Sequence, residues 1–295
     1  MWPSYSNSDL SAFSKSLGNA PKRLLSQFMP LSLRSIIARA YRSSERLIRE
    51  NLRIYESEDK LIADSQRYWN STDRDYVAGN AHWRGNGVFA GDDARWLAMG
   101  RHNLAQFARL AGPAYLRTPR RIVDWGCGGG ANAVHFAPGA ARYYGVDITA
   151  ASLRECHRQL QALACEAFVP VQFEADQPER TLALITEPCD LFFSTYVFEL
   201  FPSKDYGKRI LDIAYKLLDT NGLAFIQIKY KDQSSKSKAH RWGYAQNLPH
   251  MTTYRIEEFW QNAEQCGFTP QLVTLERQQA VELGERYAYF LLKKD

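Results

Sequence analysis

The alternation of apolar and polar positions divides the chain into three textures. From Leu31 to about Tyr55, the residues Ile36, Ile37, Ala40, Tyr41, Leu47, Ile48, Leu52 and Tyr55 recur at helical spacing. At about 100° per residue they occupy one half of a helix, and Arg39, Arg42, Arg46, Arg49 and Arg53 fall on the other half. Residues 1–30 are serine-rich with little periodicity, the pattern of a flexible leader. Residues 56–115 read as further helices and loops, with a helix from about Asp92 to Ala111 ended by Gly112-Pro113.

From Arg121 the texture changes to strands alternating with helices. The strand-like runs are Arg121–Trp125, Arg142–Asp147, Ala167–Phe173, Asp190–Ser194, Leu223–Tyr230, Gln271–Leu275 and Tyr287–Leu292. The clearest helix runs from Ile210 to Leu218, with Asn221-Gly222 as its expected C-cap. Such alternation predicts a parallel sheet covered on both faces. The last two runs are joined through Arg277–Arg286, too short a connection for a crossover helix. They are expected to form a hairpin, which makes a terminal strand antiparallel. Three regions follow: a leader and basic amphipathic helix (1–55), a helical cap or lid (56–115), and an α/β domain (116–295).

Composition narrows the class without naming a function. The 295 residues are 45% hydrophobic and 23% charged, which is globular rather than disordered or fibrous. No run approaches the roughly 18 apolar residues of a membrane span, and the first 30 residues lack a secretory apolar core. Cysteines 127, 156, 165, 189 and 266 show no C-x-x-C spacing, so neither zinc nor a disulfide framework is expected. Their odd number, with no secretory signal, points to a reducing, cytoplasmic setting.

Charge matters through its placement. The net charge is +5, yet residues 15–54 alone hold nine Lys/Arg against Glu45 and Glu50. Basicity therefore belongs to one segment and is not a footprint for nucleic acid. The 31–55 helix suits peripheral docking to an anionic membrane or a partner, or packing on its own domain.

The strongest chemical signal is Ile122-Val123-Asp124-Trp125-Gly126-Cys127-Gly128-Gly129-Gly130-Ala131-Asn132, a strand running into a glycine-rich turn and a helix. Glycines let the backbone turn sharply and let a ligand approach it, and free N–H groups at a helix start face that ligand. The second strand ends at Asp147, 21 residues after Gly126. An acid there can hold both hydroxyls of a ribose. The pattern also fits a dinucleotide fingerprint, so a nicotinamide-dependent oxidoreductase is the rival reading. Three features favour S-adenosyl-L-methionine. Asp124 suits the ammonium of a methionine moiety and is a poor neighbour for a pyrophosphate. Asp176, after the third strand, can accept from an adenine amino group. The C-terminal hairpin fits a methyltransferase sheet better than a dehydrogenase sheet.

Over about residues 116–295 the chain resembles the class I S-adenosylmethionine-dependent methyltransferases. The resemblance implies a doubly wound, mostly parallel seven-stranded α/β sheet in the order 3-2-1-4-5-7-6 with its last strand antiparallel, here with an N-terminal helical extension. It matches the glycine loop to Asp124–Gly130 (including Gly126, Cys127, Gly128 and Gly130), the ribose acid to Asp147 beside Ile148, and the adenine-side acid to Asp176. The segment Phe193-Ser194-Thr195-Tyr196-Val197-Phe198-Glu199-Leu200-Phe201-Pro202 resembles the family's fourth motif and places Ser194 and Tyr196 near the cofactor. Many members carry Glu-His there, where this chain has Glu199-Leu200. The family's helical lid makes Tyr68, Trp69, Trp83 and Arg84 expected lid contacts, with Arg84 pairing the methionine carboxylate. The implied reaction is in-line methyl transfer.

The acceptor side carries weaker signals. Lys229 to Arg241 holds five cations and one acid among serines, followed by Trp242 and Tyr244. Such a loop suits an anionic small-molecule or glycan acceptor, or it is simply solvated. His240 and His250 are the imidazoles placed to act as general base. No metal constellation is visible. Expected function is O-methylation of a small molecule, sugar or glycan precursor; a non-catalytic methyltransferase-like scaffold is the remaining alternative.

Overall fold

The computed structural model describes residues 40, 43–49, 51–52, 54–71, 93–233, 237–276 and 286–295. The chain divides into two compact units, Met1–Tyr55 and Glu56–Asp295. In the first, residues 43–49 and 51–52 are helical, and Arg49 Nε bonds Glu45 at 2.9 Å. Leu47, Ile48 and Leu52 are exposed there. The leader, Arg39, Arg42 and Arg53 lie outside the described residues.

The second unit begins with helices α1 (Glu58–Trp69) and α2 (Asp93–Ala111). Then come β1 (Arg121–Trp125), α3 (Ala133–Phe136), β2 (Arg142–Asp147), α4 (Ala150–Gln161) and β3 (Phe168–Gln172). The remainder is α5 (Thr181–Leu184), β4 (Cys189–Ser194), α6 (Lys204–Leu217), β5 (Leu218–Lys229), α7 (Ile256–Gln265), β6 (Phe268–Leu275) and β7 (Tyr287–Lys294).

The seven strands stand in the order β3-β2-β1-β4-β5-β7-β6. All neighbours from β3 to β5 are parallel, and β7 runs antiparallel to both β5 and β6. This is the expected sheet, with the hairpin placing β7 between β5 and β6. One large core cluster, with Val123, Trp125 and Ile226, covers one face; another, with Ile122, Phe193 and Phe225, covers the other. The central strands are buried on both sides, which is why they read as continuous apolar runs.

Helix starts follow local chemistry. Thr149 caps α4 by accepting from Ser152 N–H at 3.1 Å, and Ser203 caps α6 by accepting from Tyr206 N–H at 2.9 Å. The expected C-cap at Asn221-Gly222 is corrected. Helix α6 ends at Leu217, Leu218 already pairs with Cys189, and Asn221 sits inside β5 with φ 65°. The sheet claims this segment directly, so the Asn-Gly pair bends a strand instead of closing a helix.

Candidate cofactor and acceptor site

The site opens where β1 and β2 end, the switch point at which open α/β sheets bind ligands. β1 delivers the chain into the glycine turn, where Gly126, Gly128 and Gly130 take φ values of 77°, 52° and 95°. At Gly126 a Cβ would also lie 2.4 Å from Val197, so both conformation and contact require glycine. Helix α2 supports the turn closely; a Cβ on Gly100 would lie 1.8 Å from the Ala131 carbonyl oxygen.

Asp147 holds this turn together. Its Oδ2 accepts from Gly128 N–H at 3.0 Å and its Oδ1 from Thr149 N–H at 2.9 Å. Both the glycine turn and the start of α4 are thereby tied to one buried carboxylate. Asp124 lies at the end of β1, 1% exposed. Its Oδ2 accepts from Tyr143 Oη at 2.6 Å, and its Oδ1 has no hydrogen-bond partner. Burial raises its pKa to about 7, against the hydrogen bond from Tyr143 and with a further push from the Asp147 charge. A buried acceptor left open beside a second acid is suited to a cation. A pyrophosphate would set like charge against both.

A cleft of about 550 Å³, partly open to solvent, lies beside this turn. Trp125, Gly126, Asp147 and Ile148 form its floor, and Phe173 and Ala175 one wall. Helix α1 lines it through Ser65 and Trp69. Gln66 Oε1 accepts from Ala175 N–H at 2.8 Å, and Trp69 Nε1 donates to Tyr244 Oη at 2.9 Å. Glu58 bonds the Ser203 hydroxyl, anchoring the other end of α1. Apolar walls with few polar groups suit an adenosine-sized ligand.

The remaining expected residues are distributed around the cleft. Cys127 is buried, and the adjacent Cys156 thiol and burial raise its thiol well above the usual range, which disfavours a thiolate. Ser194 is buried with its hydroxyl bonded to the Trp125 carbonyl at 3.1 Å, and it does not line the cleft. Tyr196 takes φ 60° and gives its N–H to Gln227 Oε1 at 2.7 Å. Asp176 is exposed and outside the cleft wall. His240 is buried, and its backbone N–H donates to the His250 backbone carbonyl at 2.6 Å. Trp83 and Arg84 lie outside the described residues.

Sequence reasoning missed Ser65 and Gln66, and within the fourth-motif segment it named Ser194 and Tyr196, whereas Val197, Leu200 and Phe201 form the apolar wall. Nothing local marks Ser65 or Gln66, because their role arises only when α1 crosses the cleft. It also missed a buried network. Asn103 Nδ2 donates to Asn132 Oδ1 (2.8 Å), Tyr289 Oη to Asn103 Oδ1 (3.1 Å), and Gln227 Nε2 to Tyr289 Oη (3.0 Å). This chain ties the glycine turn to the loop after β4. Among the described residues no cluster of His, Cys, Asp and Glu could hold a metal ion. No described helix is long and apolar enough to cross a membrane.

Residues 96–273, more than half of the chain, match a family described as Methyltransferase domain. No curated protein matches the sequence. Among solved structures, the chain is similar to 1,6-didemethyltoxoflavin-N1-methyltransferase of Burkholderia thailandensis, solved with its substrate and S-adenosylhomocysteine. The TM-score is 0.56 at 16% identity, covering 82% of this chain and 92% of that one. Magnesium protoporphyrin IX methyltransferase of Synechocystis PCC 6803, solved with S-adenosylhomocysteine, gives 0.55 at 16% identity over 79% and 99%. The [4+2]-cyclase SpnF gives 0.50 at 12% identity over 67% and 81%. At these identities the likeness concerns the fold, and one fold serves different chemistries.

Proposed function

We propose that this chain, which belongs to the Methyltransferase domain family, binds S-adenosylmethionine and methylates an oxygen of a small molecule, sugar or glycan precursor. The observation that carries the cofactor reading is the buried Asp124 carboxyl, open at Oδ1 beneath the glycine turn. It would take the methionine ammonium. Asp147 would take the ribose hydroxyls, Ile148 and Phe173 would pack on the adenine, and Trp69 of the 56–115 lid would close over it. Asp176 would need to turn inward to reach the adenine amino group.

The cofactor supplies a methyl group activated by its sulfonium. The protein's own work is alignment and exclusion of water. The glycine turn and Asp147 set the donor's position. The loop after β4 forms the facing wall, and helix α1 with Tyr244 narrows the entrance. Calorimetry with S-adenosylhomocysteine and with NAD tests the reading. Binding of S-adenosylhomocysteine alone is expected; binding of NAD alone would replace it with the oxidoreductase reading.

The exposed Leu47, Ile48 and Leu52 on a basic segment favour peripheral docking of residues 31–55 on an anionic membrane. Pelleting with anionic vesicles should require residues 1–55; equal pelleting of the truncated chain removes this role.

A further inference from the structure

A hydroxyl is buried in β2 where a central strand ordinarily places an apolar group. The strand reads Arg142-Tyr143-Tyr144-Gly145-Val146-Asp147 and lies between β1 and β3. Tyr143 is 0% exposed, and its ring belongs to the core cluster that holds Ile122 and Leu153. A buried hydroxyl needs a protein partner, because it has given up its water. Tyr143 finds one across the strand pair: its Oη donates to Asp124 Oδ2 at 2.6 Å.

The register explains this reach. In the parallel pair of β1 and β2, Tyr143 stands beside Ile122, and Gly145 stands beside Asp124. Strand residues two apart share a face, so the ring runs along the sheet toward Asp124. Gly145 puts no side chain in its path; a Cβ there would lie 2.4 Å from Phe168 and 3.1 Å from Cys127 Sγ. The carboxyl is thereby held at one oxygen, while Oδ1 has no hydrogen-bond partner.

Acid strength fixes the direction of the bond. A phenol and a carboxylic acid ordinarily differ by about six pKa units. Burial, and then the Asp124 charge, push the Tyr143 phenol higher still. Tyr143 therefore keeps its proton and donates it. The 2.6 Å contact has the length of a hydrogen bond to an ionised carboxylate. It favours the charged form of Asp124 and so opposes burial, which raises that carboxyl to about 7. The other titratable groups around the pair are Asp147 at the tip of β2, Cys127 of the glycine turn and Cys156 of α4. Asp147 pushes Asp124 toward its neutral form. None of the three is a cation, so the phenol steadies the carboxylate before a ligand arrives.

We propose that Tyr143 is a positioning residue for the cofactor: it holds the Asp124 carboxylate with Oδ1 free to receive the methionine ammonium, and it sets the pH range over which the cofactor is retained. The proposal rests on the S-adenosylmethionine reading of the site. Tyr143 lies outside the cleft wall and acts through Asp124.

Calorimetry of the full chain with S-adenosylhomocysteine, between pH 6 and pH 8, compares wild type with Tyr143→Phe. A hydrogen bond to a charged group is worth about one pKa unit or more. Its loss should move the midpoint of the affinity profile up by about one unit from the wild-type value of about 7. The variant should then bind about tenfold more weakly than wild type at pH 6 and only about twofold more weakly at pH 8. In an Asp124→Asn background, Tyr143→Phe should change affinity by less than about twofold throughout. A loss equal at every pH, or one that persists in Asp124→Asn, marks a merely structural role and overturns the proposal. Infrared spectra of the free chain supply a second readout. The protonated carboxyl band that is missing in Asp124→Asn should titrate about one unit higher in Tyr143→Phe. If Tyr143→Phe fails to fold, wild type decides: a tyrosine C–O band should shift on the same titration curve as that carboxyl band and stay fixed in Asp124→Asn. A tyrosine band that never moves overturns the proposal. Absence of S-adenosylhomocysteine binding would defeat the cofactor reading instead, and the infrared titration still measures what Tyr143 does to Asp124.

Discussion

The two sides of the cleft are built on different principles. On the β1–β2 side, everything that shapes the floor comes from one short stretch, Asp124 to Thr149. A carboxylate at the tip of β2 ties the glycine turn and the start of α4 together over 2.9–3.0 Å. On the opposite side, the groups come from Val197, Leu200, Phe201 and Tyr244, which lie far apart in sequence, with Tyr244 bonded to Trp69 of α1. The first side is a local motif that a cofactor can rely on. The second is an assembly that can change with the acceptor while the sheet stays the same.

Substitutions that separate the two sides test this contrast. The largest effect is expected for Asp147→Ala, which removes an acceptor of two backbone N–H groups as well as the ribose contact. Calorimetry should show S-adenosylhomocysteine binding weakened by about 100-fold or more, since charge-assisted bonds are worth roughly 1.5–3 kcal/mol each. A change below tenfold would mean the turn is held by other contacts.

Asp124→Asn should weaken S-adenosylhomocysteine binding by about 10-fold at pH 8. With the wild-type pKa raised to about 7 by burial, the carboxyl is ionised above that pH and can pair with an ammonium. Affinity should therefore fall as pH drops below about 7, by up to roughly tenfold per unit, and the slope should vanish in Asp124→Asn. Stability moves the opposite way. A folded-state carboxyl pKa above the unfolded value means the native state holds the extra proton. Ionisation costs stability as pH rises between about 4 and 7. Asp124→Asn should thus melt higher than wild type at pH 8, with the gap closing toward pH 4. A pH-independent gap would remove the carboxyl from that role.

Trp69→Phe keeps a smaller aromatic ring and removes the bond to Tyr244. Cofactor affinity should fall about threefold, with lid opening seen as faster hydrogen exchange in α1. The smallest cofactor effect is expected for Gln227→Leu. It breaks the bonds to Tyr196 N–H and Tyr289 Oη inside the sheet, at a cost of about 1–3 kcal/mol of stability. S-adenosylhomocysteine affinity should stay within twofold. A larger loss would show that the two sides are coupled through the Asn103–Asn132 network.

Legibility follows the same division. The strands, the C-terminal hairpin and the glycine turn with Asp124 and Asp147 were readable because each depends on neighbours in sequence, whereas the strand order came from the resemblance to the methyltransferase family. Asn221-Gly222 misled because its turn chemistry was weighed without the sheet, where pairing of Leu218 with Cys189 takes over. Lys229 did leave a trace: Gln227 and Lys229 follow Leu223 and Phe225 on one face of β5. Periodicity shows that such a break exists but not that His250 Nδ1 lies 2.9 Å from Lys229 Nζ. Leu200, where an imidazole was expected, gave no hint that His250 stands nearby in space.

By itself the sequence determined the α/β sheet, the site of the turn and the acids beneath it, because hydrogen-bond ladders, φ demands and strand periodicity act over a few residues. Only the tertiary structure decided which helix closes the cleft, that Gln66 and Tyr244 serve it, and that Lys229 meets His250. Those pairings depend on loops that bring distant segments together, and contact energies there exist only once the sheet has set the distances.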